Sequence, residues 1–97
     1  MKWMIQYTNK ASKQVGRLNR HAFEAVRLLV KDLQNNGPAP GKKWSHYGKL
    51  RAAKKEDRRH CHLNQGKPTY VCCWAVIDKK LKILEVYYVG THEKAPY

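Results

Sequence analysis

Two histidines one residue apart, His60 and His62, lie in the run Asp57-Arg58-Arg59-His60-Cys61-His62-Leu63, with His46 upstream and His92 near the C-terminus. An imidazole titrates near pH 6.5, so it can take or give a proton at neutrality. Lys49 and Arg58 add fixed positive charge. Metal-free cleavage of RNA needs this kit: a base for the ribose 2′-OH, an acid for the leaving 5′-oxygen, and cations to hold the charge of the phosphorane. The same residue types suit a non-catalytic RNA-binding module with solvated histidines, and composition alone leaves both readings open. A zinc site built from His60, Cys61, His62, Cys72, Cys73 and His92 is the weaker alternative. No Cys-x-x-Cys spacing exists to chelate a tetrahedral ion, and Cys61 points away from its two neighbours. The expectation is therefore a site without metal or cofactor.

That expectation rests on strand geometry. Side chains alternate along a strand, so Cys61 and Leu63 face the core while Arg58, His60 and His62 share the outer face, about 7 Å between alternate positions. Two further β-rich runs follow, Thr69 to Ile77 and Leu81 to Val89, separated by turn residues. They read as an antiparallel meander, the middle strand apolar on both faces and therefore central. Gly90 is expected to release the chain from the sheet, leaving His92 just beyond it.

Upstream, Trp3 to Thr8 reads as a first strand. Ala11, Val15, Leu18, Ala22, Val26, Leu29 and Leu33 then recur at helical spacing. Gly16 and Asn19 divide this stripe into a helix to about Leu18 and a longer one from about Arg20. Asn36-Gly37-Pro38 ends the second helix through a left-handed residue. Pro38 to Lys43 is a loop, Trp44 to Arg51 an extended segment broken at Gly48, and Ala52 to Glu56 a charged connection. The fold class is α+β: one domain over residues 1–97, a mostly antiparallel four- to five-stranded sheet, and two N-terminal helices packed on one face.

Twenty Lys and Arg against seven Asp and Glu give a net charge of +13 over 97 residues. Such an excess calls for a polyanionic partner: nucleic acid first, an acidic protein second and an anionic membrane a distant third. Lys42, Lys43, His46, Lys54 and Lys55 are the candidate RNA-binding residues. The three cysteines suit a reducing compartment. No apolar run approaches the roughly 20 residues of a membrane helix and no signal-peptide pattern is present, so no membrane partner is expected and a cytoplasmic location is the default.

The order of elements, with Tyr47-Gly48-Lys49-Leu50, Arg59-His60-Cys61-His62-Leu63, Val89-Gly90-Thr91-His92 and the terminal Tyr97, resembles the RelE/ParE superfamily of bacterial toxins. The resemblance is nearest to the histidine-using, YafQ-type branch. It implies the toxin of a type II toxin-antitoxin system, an endoribonuclease (mRNA interferase) that cuts mRNA in the ribosomal A site and is neutralised by a cognate acidic antitoxin. By similarity His62 and His92 are the acid/base pair, without assignment of which is which. Tyr97 is the aromatic that stacks on or orients a base, His60 is an extra participant, and Arg58 and Lys49 neutralise phosphate. Two departures stand out: the turn after His62, Asn64-Gln65-Gly66-Lys67-Pro68, lacks the branch's carboxylate, and Val71 stands where RelE has an arginine. A gyrase-poisoning ParE-like toxin shares the fold and is the alternative, beside the plain RNA binder.

Overall fold

Helix α2 (Arg20–Asn36) shows how the chain organises itself. Ala22, Val26, Leu29 and Leu33, three or four residues apart, are its buried positions, as the stripe requires. Asn19 caps it, the side-chain oxygen accepting from the Ala22 amide at 2.9 Å. Thr8 does the same for α1 (Asn9–Gly16) through the Ala11 amide at 3.0 Å. The first helix stops at Gly16, two residues before its expected end, because Gly16 both weakens the helix and lets Arg17 close it. Gly37 ends α2 at φ 85°, ψ −156°. That is positive φ but not the expected left-handed helical conformation. Glycine is required there because a Cβ would stand 2.9 Å from the Trp3 indole nitrogen.

The structure is a computed structural model that describes residues 2–51 and 56–97. Lys54 and Lys55 lie outside the described residues, as does most of the charged connection expected from Ala52 to Glu56. Five strands, β1 (Met4–Tyr7), β2 (Gly48–Lys49), β3 (Asp57–His62), β4 (Tyr70–Asp78) and β5 (Ile83–Thr91), form one sheet in the order β1-β5-β4-β3-β2. All pairings are antiparallel except β1 with β5, which is parallel. The class is α+β, with two N-terminal helices on a mixed, mostly antiparallel sheet. The extended segment expected from Trp44 to Arg51 reduces to the two residues of β2.

Both helices pack on one face of the sheet. Ala11, Val26, Leu29 and Leu33 meet Cys61, Cys72, Trp74, Leu84, Val86 and Val89 there. On the other face a smaller cluster of Val71, Cys73 and Tyr88 is covered by Tyr87 and Ala95. The middle strand β4 is therefore central and covered on both sides. Its register slips against β5 between Cys73 and Trp74, which pair with Tyr88 and Val86 and leave Tyr87 as the extra residue.

Gly90 does not release the chain from the sheet, contrary to expectation. It pairs with Val71 inside β5, and the strand continues through Thr91. A Cβ at Gly90 would lie 2.7 Å from the Tyr88 hydroxyl, which donates to the Thr91 carbonyl at 2.7 Å. The glycine thus makes room for that hydroxyl. A short 3-10 turn, His92–Lys94, then folds the last residues over the face opposite the helices.

Candidate active site

β3 carries the site because its alternation separates two chemistries. Cys61 is fully buried on the helix side, while His60 and His62 project from the other face, opposite Cys73 and Val71 of β4. Beyond the end of β2 the preceding loop stays alongside β3: the His62 amide donates to the Ser45 carbonyl at 2.9 Å, and Gly48 pairs with His60. His46 and Tyr47 therefore stand opposite the single residue Cys61, an excursion of the bulge kind. His46 takes φ 56°, a left-handed conformation uncommon outside glycine but met in histidine. The outcome is a split. His46 lays its ring over His62, centroids 4.1 Å apart and planes 24° from parallel. Tyr47 turns to the helix side, stacks on Trp74 and accepts from Arg59 at 2.8 Å.

The C-terminal turn completes the cluster. His92 meets His62 edge-on, centroids 5.2 Å apart. Tyr97 lies 4.5 Å from His60 and 6.0 Å from His92. Four imidazoles and one phenol, brought from the loop, β3 and the C-terminal turn, thus form one contiguous group. His46, placed among the RNA-binding residues by sequence, belongs with His60, His62, His92 and Tyr97.

Electrostatics follow from this crowding. Burial, then the proximity of the other imidazoles, lowers the pKa of His60 and of His62 below the ordinary 6.5. Each neighbouring imidazole makes the charged form of His60 and His62 harder to reach, which favours their neutral rings. The Nδ1 atom of His60 is buried and has no hydrogen-bond partner among the described residues, which is unusual in a folded protein. Burial pushes the Tyr97 phenol up to about 12, so it stays neutral and can stack or donate but not serve as a base.

The cations divide. Arg58 lies on the histidine side, its Nε bonded to Glu56 at 2.7 Å and its guanidinium over the Tyr87 ring at 4.7 Å. Lys49 does not join the cluster. It pairs in register with Arg59 rather than His60, so it shares the helix side, its ammonium 3.9 Å from the Asp57 carboxylate. Lys42 is exposed. Lys43 is exposed too but lies 3.2 Å from Asp32.

Sequence reasoning gave Arg59 no role. Its guanidinium grips Asp57 through two bonds of 2.8–2.9 Å and reaches Tyr47, tying the loop that carries His46 to β3. The signal was present: an arginine two residues from Cys61 falls on the core face of a strand and must find partners there.

The donors do not form a chelate. Among the described residues no three His, Cys, Asp or Glu side chains are grouped to hold a metal ion. Imidazole lone pairs lie in the ring plane, so rings stacked like His46 and His62 do not aim at one point. Burial raises all three thiols, Cys61 and Cys73 to about 12, which disfavours the thiolate a metal needs.

The fold that carries this site is RelE-like. The chain superposes on a chain of the archaeal RelE–RelB complex from Pyrococcus horikoshii OT3 with a TM-score of 0.76 and 17% identity, over 98% of this chain and 100% of that one. The YoeB dimer of Staphylococcus aureus gives 0.71 and 13%, over 95% and 99%. A metal-bound toxin from Helicobacter pylori gives 0.71 and 20%, over 95% and 97%. No protein-family model matches the sequence, and a search of curated proteins finds no significant match. No helix among the described residues is long and apolar enough to cross a membrane.

Proposed function

We propose that this chain is the toxin of a type II toxin-antitoxin pair and an endoribonuclease that cuts mRNA in the ribosomal A site, using histidines in the manner of the YafQ-type branch. The observation that carries the reading is the contact group of His46, His60, His62, His92 and Tyr97 on the open face of a RelE-like sheet. In this reading one imidazole of the His62–His92 pair takes the 2′-OH proton and the ribose oxygen attacks phosphorus. The other imidazole protonates the 5′-oxygen as its bond breaks, leaving a 2′,3′-cyclic phosphate. Arg58 offsets charge on the phosphorane, and Tyr97 stacks on or orients a base. Lys42 and Lys43, with Lys54 and Lys55, meet ribosomal RNA. A small acidic antitoxin balances the +13 charge, and the pair works in the cytoplasm.

The test is mapping of mRNA 5′ ends after induced expression, followed by single-turnover cleavage on programmed ribosomes in magnesium buffer, with the toxin either untreated or stripped by chelator and desalted beforehand. New 5′ ends inside translated codons, formed equally by the stripped toxin, are expected. Intact mRNA with gyrase-linked DNA breaks would move the assignment to the ParE-like alternative.

A further inference from the structure

At the edge of the sheet, between α2 and the end of β3 and meeting the histidine cluster at His62, lies a cleft of about 270 Å³ that the proposed chemistry leaves unused. Helix α2 contributes Ala25 and the half-exposed Leu28, the loop contributes Trp44 and Ser45, and His62 forms part of the lining next to Gln65. Drug-sized ligands occupy about 300–1,000 Å³, so this space suits one flat ring system. Its polar groups sort into spent and free. Asn64 is spent on its own turn, accepting from the Tyr70 amide at 2.7 Å and donating to Pro68 at 3.2 Å. The Trp44 indole is pinned by Asp32 at 2.8 Å, which fixes the plane of its ring. Lys43, held to the same carboxylate, supplies positive charge at the rim. The Gln65 amide and the Ser45 hydroxyl make no side-chain hydrogen bond among the described residues.

An indole of fixed plane that shares its ring with the Lys43 ammonium at 5.7 Å, an aliphatic surface, one amide and one hydroxyl match what a splayed base of single-stranded RNA needs: apolar and cationic contact for its ring, plus donors and acceptors for its edge. We propose that this cleft takes one nucleobase next to the scissile phosphate and reads its edge with Gln65 and Ser45. The proposal rests on the ribonuclease reading, because His62 lines the cleft and belongs to the reacting group.

The experiment titrates the purified chain with the four nucleoside 3′-monophosphates and, separately, inorganic phosphate, following the Trp44 indole and Gln65 side-chain amide signals by NMR. At least one nucleotide is expected to move both signals while phosphate alone does not, and Leu28→Trp should abolish the response by filling the cleft. Gln65→Ala, on an exposed turn, should change the ranking of the four bases by on the order of tenfold and redistribute cleavage among codons. Silent signals with all four nucleotides, equal shifts with phosphate, or an unchanged ranking in Gln65→Ala would overturn the assignment. The two readings fail separately. An mRNA-cleaving chain with a silent cleft loses the base pocket alone, whereas a responsive cleft on a chain that cleaves nothing loses the ribonuclease.

Discussion

The two faces of β3 differ in how they treat polar groups. On the helix side Arg59 is enclosed and fully engaged, by Asp57 through two bonds and by the Tyr47 hydroxyl, and Cys61 beside it is sealed in the core. On the open side His60 keeps a buried nitrogen with no partner, and the neighbouring imidazoles touch one another rather than carboxylates. A strand has no preference for either arrangement. The helix side spends its polar groups on holding the fold, whereas the histidines of the open side are held back from it, which leaves them for a ligand. Local rules satisfied on one face and broken on the other commonly mark a functional site.

If the contrast is functional, the largest effect belongs to the open face. His92→Ala and His62→Ala should each slow single-turnover cleavage about 10²–10⁴-fold. Melting temperature and ribosome binding should stay near those of the parent. The double variant should lose less than the product, since the two act as a unit. A loss within threefold for His92→Ala would remove it from the reaction, and His46, His60 and Arg58 would be examined next.

The helix face should answer in stability. Arg59→Ala strands a partly buried carboxylate, leaving it the looser attraction of Lys49 and Lys79, and removes a bond to Tyr47, costing about 1–3 kcal/mol. Arg59→Lys should not restore it, because a point ammonium cannot reproduce the two-bond grip on Asp57 together with Tyr47. Cys61→Ser should cost a similar amount by burying an unpaired hydroxyl. His60→Ala should stay within about 1 kcal/mol of the parent, since truncation removes the unpartnered nitrogen along with the packing against Tyr97. Denaturant melts that rank His60→Ala as the worst would reverse the assignment of the two faces.

Much of this contrast was legible in the sequence. Alternation alone put Cys61 against the core and His60 and His62 away from it, and the stripe and caps placed both helices to within two residues. Three things were not legible, because each depends on pairing between distant segments. The parallel contact of β1 with β5 leaves no local mark in Met4 to Tyr7. The position of His46 depends on two loop residues standing opposite Cys61, a register that no spacing count reveals. The side taken by Lys49 follows from pairing with Arg59 rather than His60, which sets its ammonium near Asp57. Gly90 looked like a strand end and proved to be space for the Tyr88 hydroxyl. A glycine reports that a Cβ is unwelcome, not why.

Acid should expose the same asymmetry. His60 and His62 have folded-state pKa values below the ordinary 6.5, so below that pH the unfolded chain binds more protons and stability falls with pH. Asp57, lowered from 3.8 mainly by its bond to Arg59, stabilises the fold above that value and gives way only below it. Thermal melts should therefore decline in two windows, one opening near pH 6.5 and one below about pH 4. His60→Gln should blunt the first, and Asp57→Asn the second. A parent flat between pH 7.5 and 5 would mean that the imidazoles are no harder to protonate in the cluster than in the unfolded chain.

The smallest effect separates two adjacent lysines. Binding to RNA releases counterions, and each neutralised phosphate contributes roughly 0.7 to the slope of log affinity against log salt for single strands. Lys42 and Lys43 are both exposed, but Lys43 lies 3.2 Å from Asp32 and 5.7 Å from the centre of the Trp44 ring. Before it can serve a phosphate it must leave a carboxylate, so part of its charge is already balanced. The Asp32 carboxyl is held below its usual value, first by its bond from Trp44 and also by Lys43, so the opposing charge persists at neutral pH. Lys42→Ala should therefore flatten the salt dependence of ribosome binding by up to one phosphate's worth, and Lys43→Ala by less. Asp32→Asn should steepen it by freeing Lys43, while loosening the indole that walls the cleft. Sedimentation of ribosomes across a salt series reads all three slopes. Equal slopes for Lys42→Ala and Lys43→Ala would show that the Asp32 contact does not restrain Lys43 in solution.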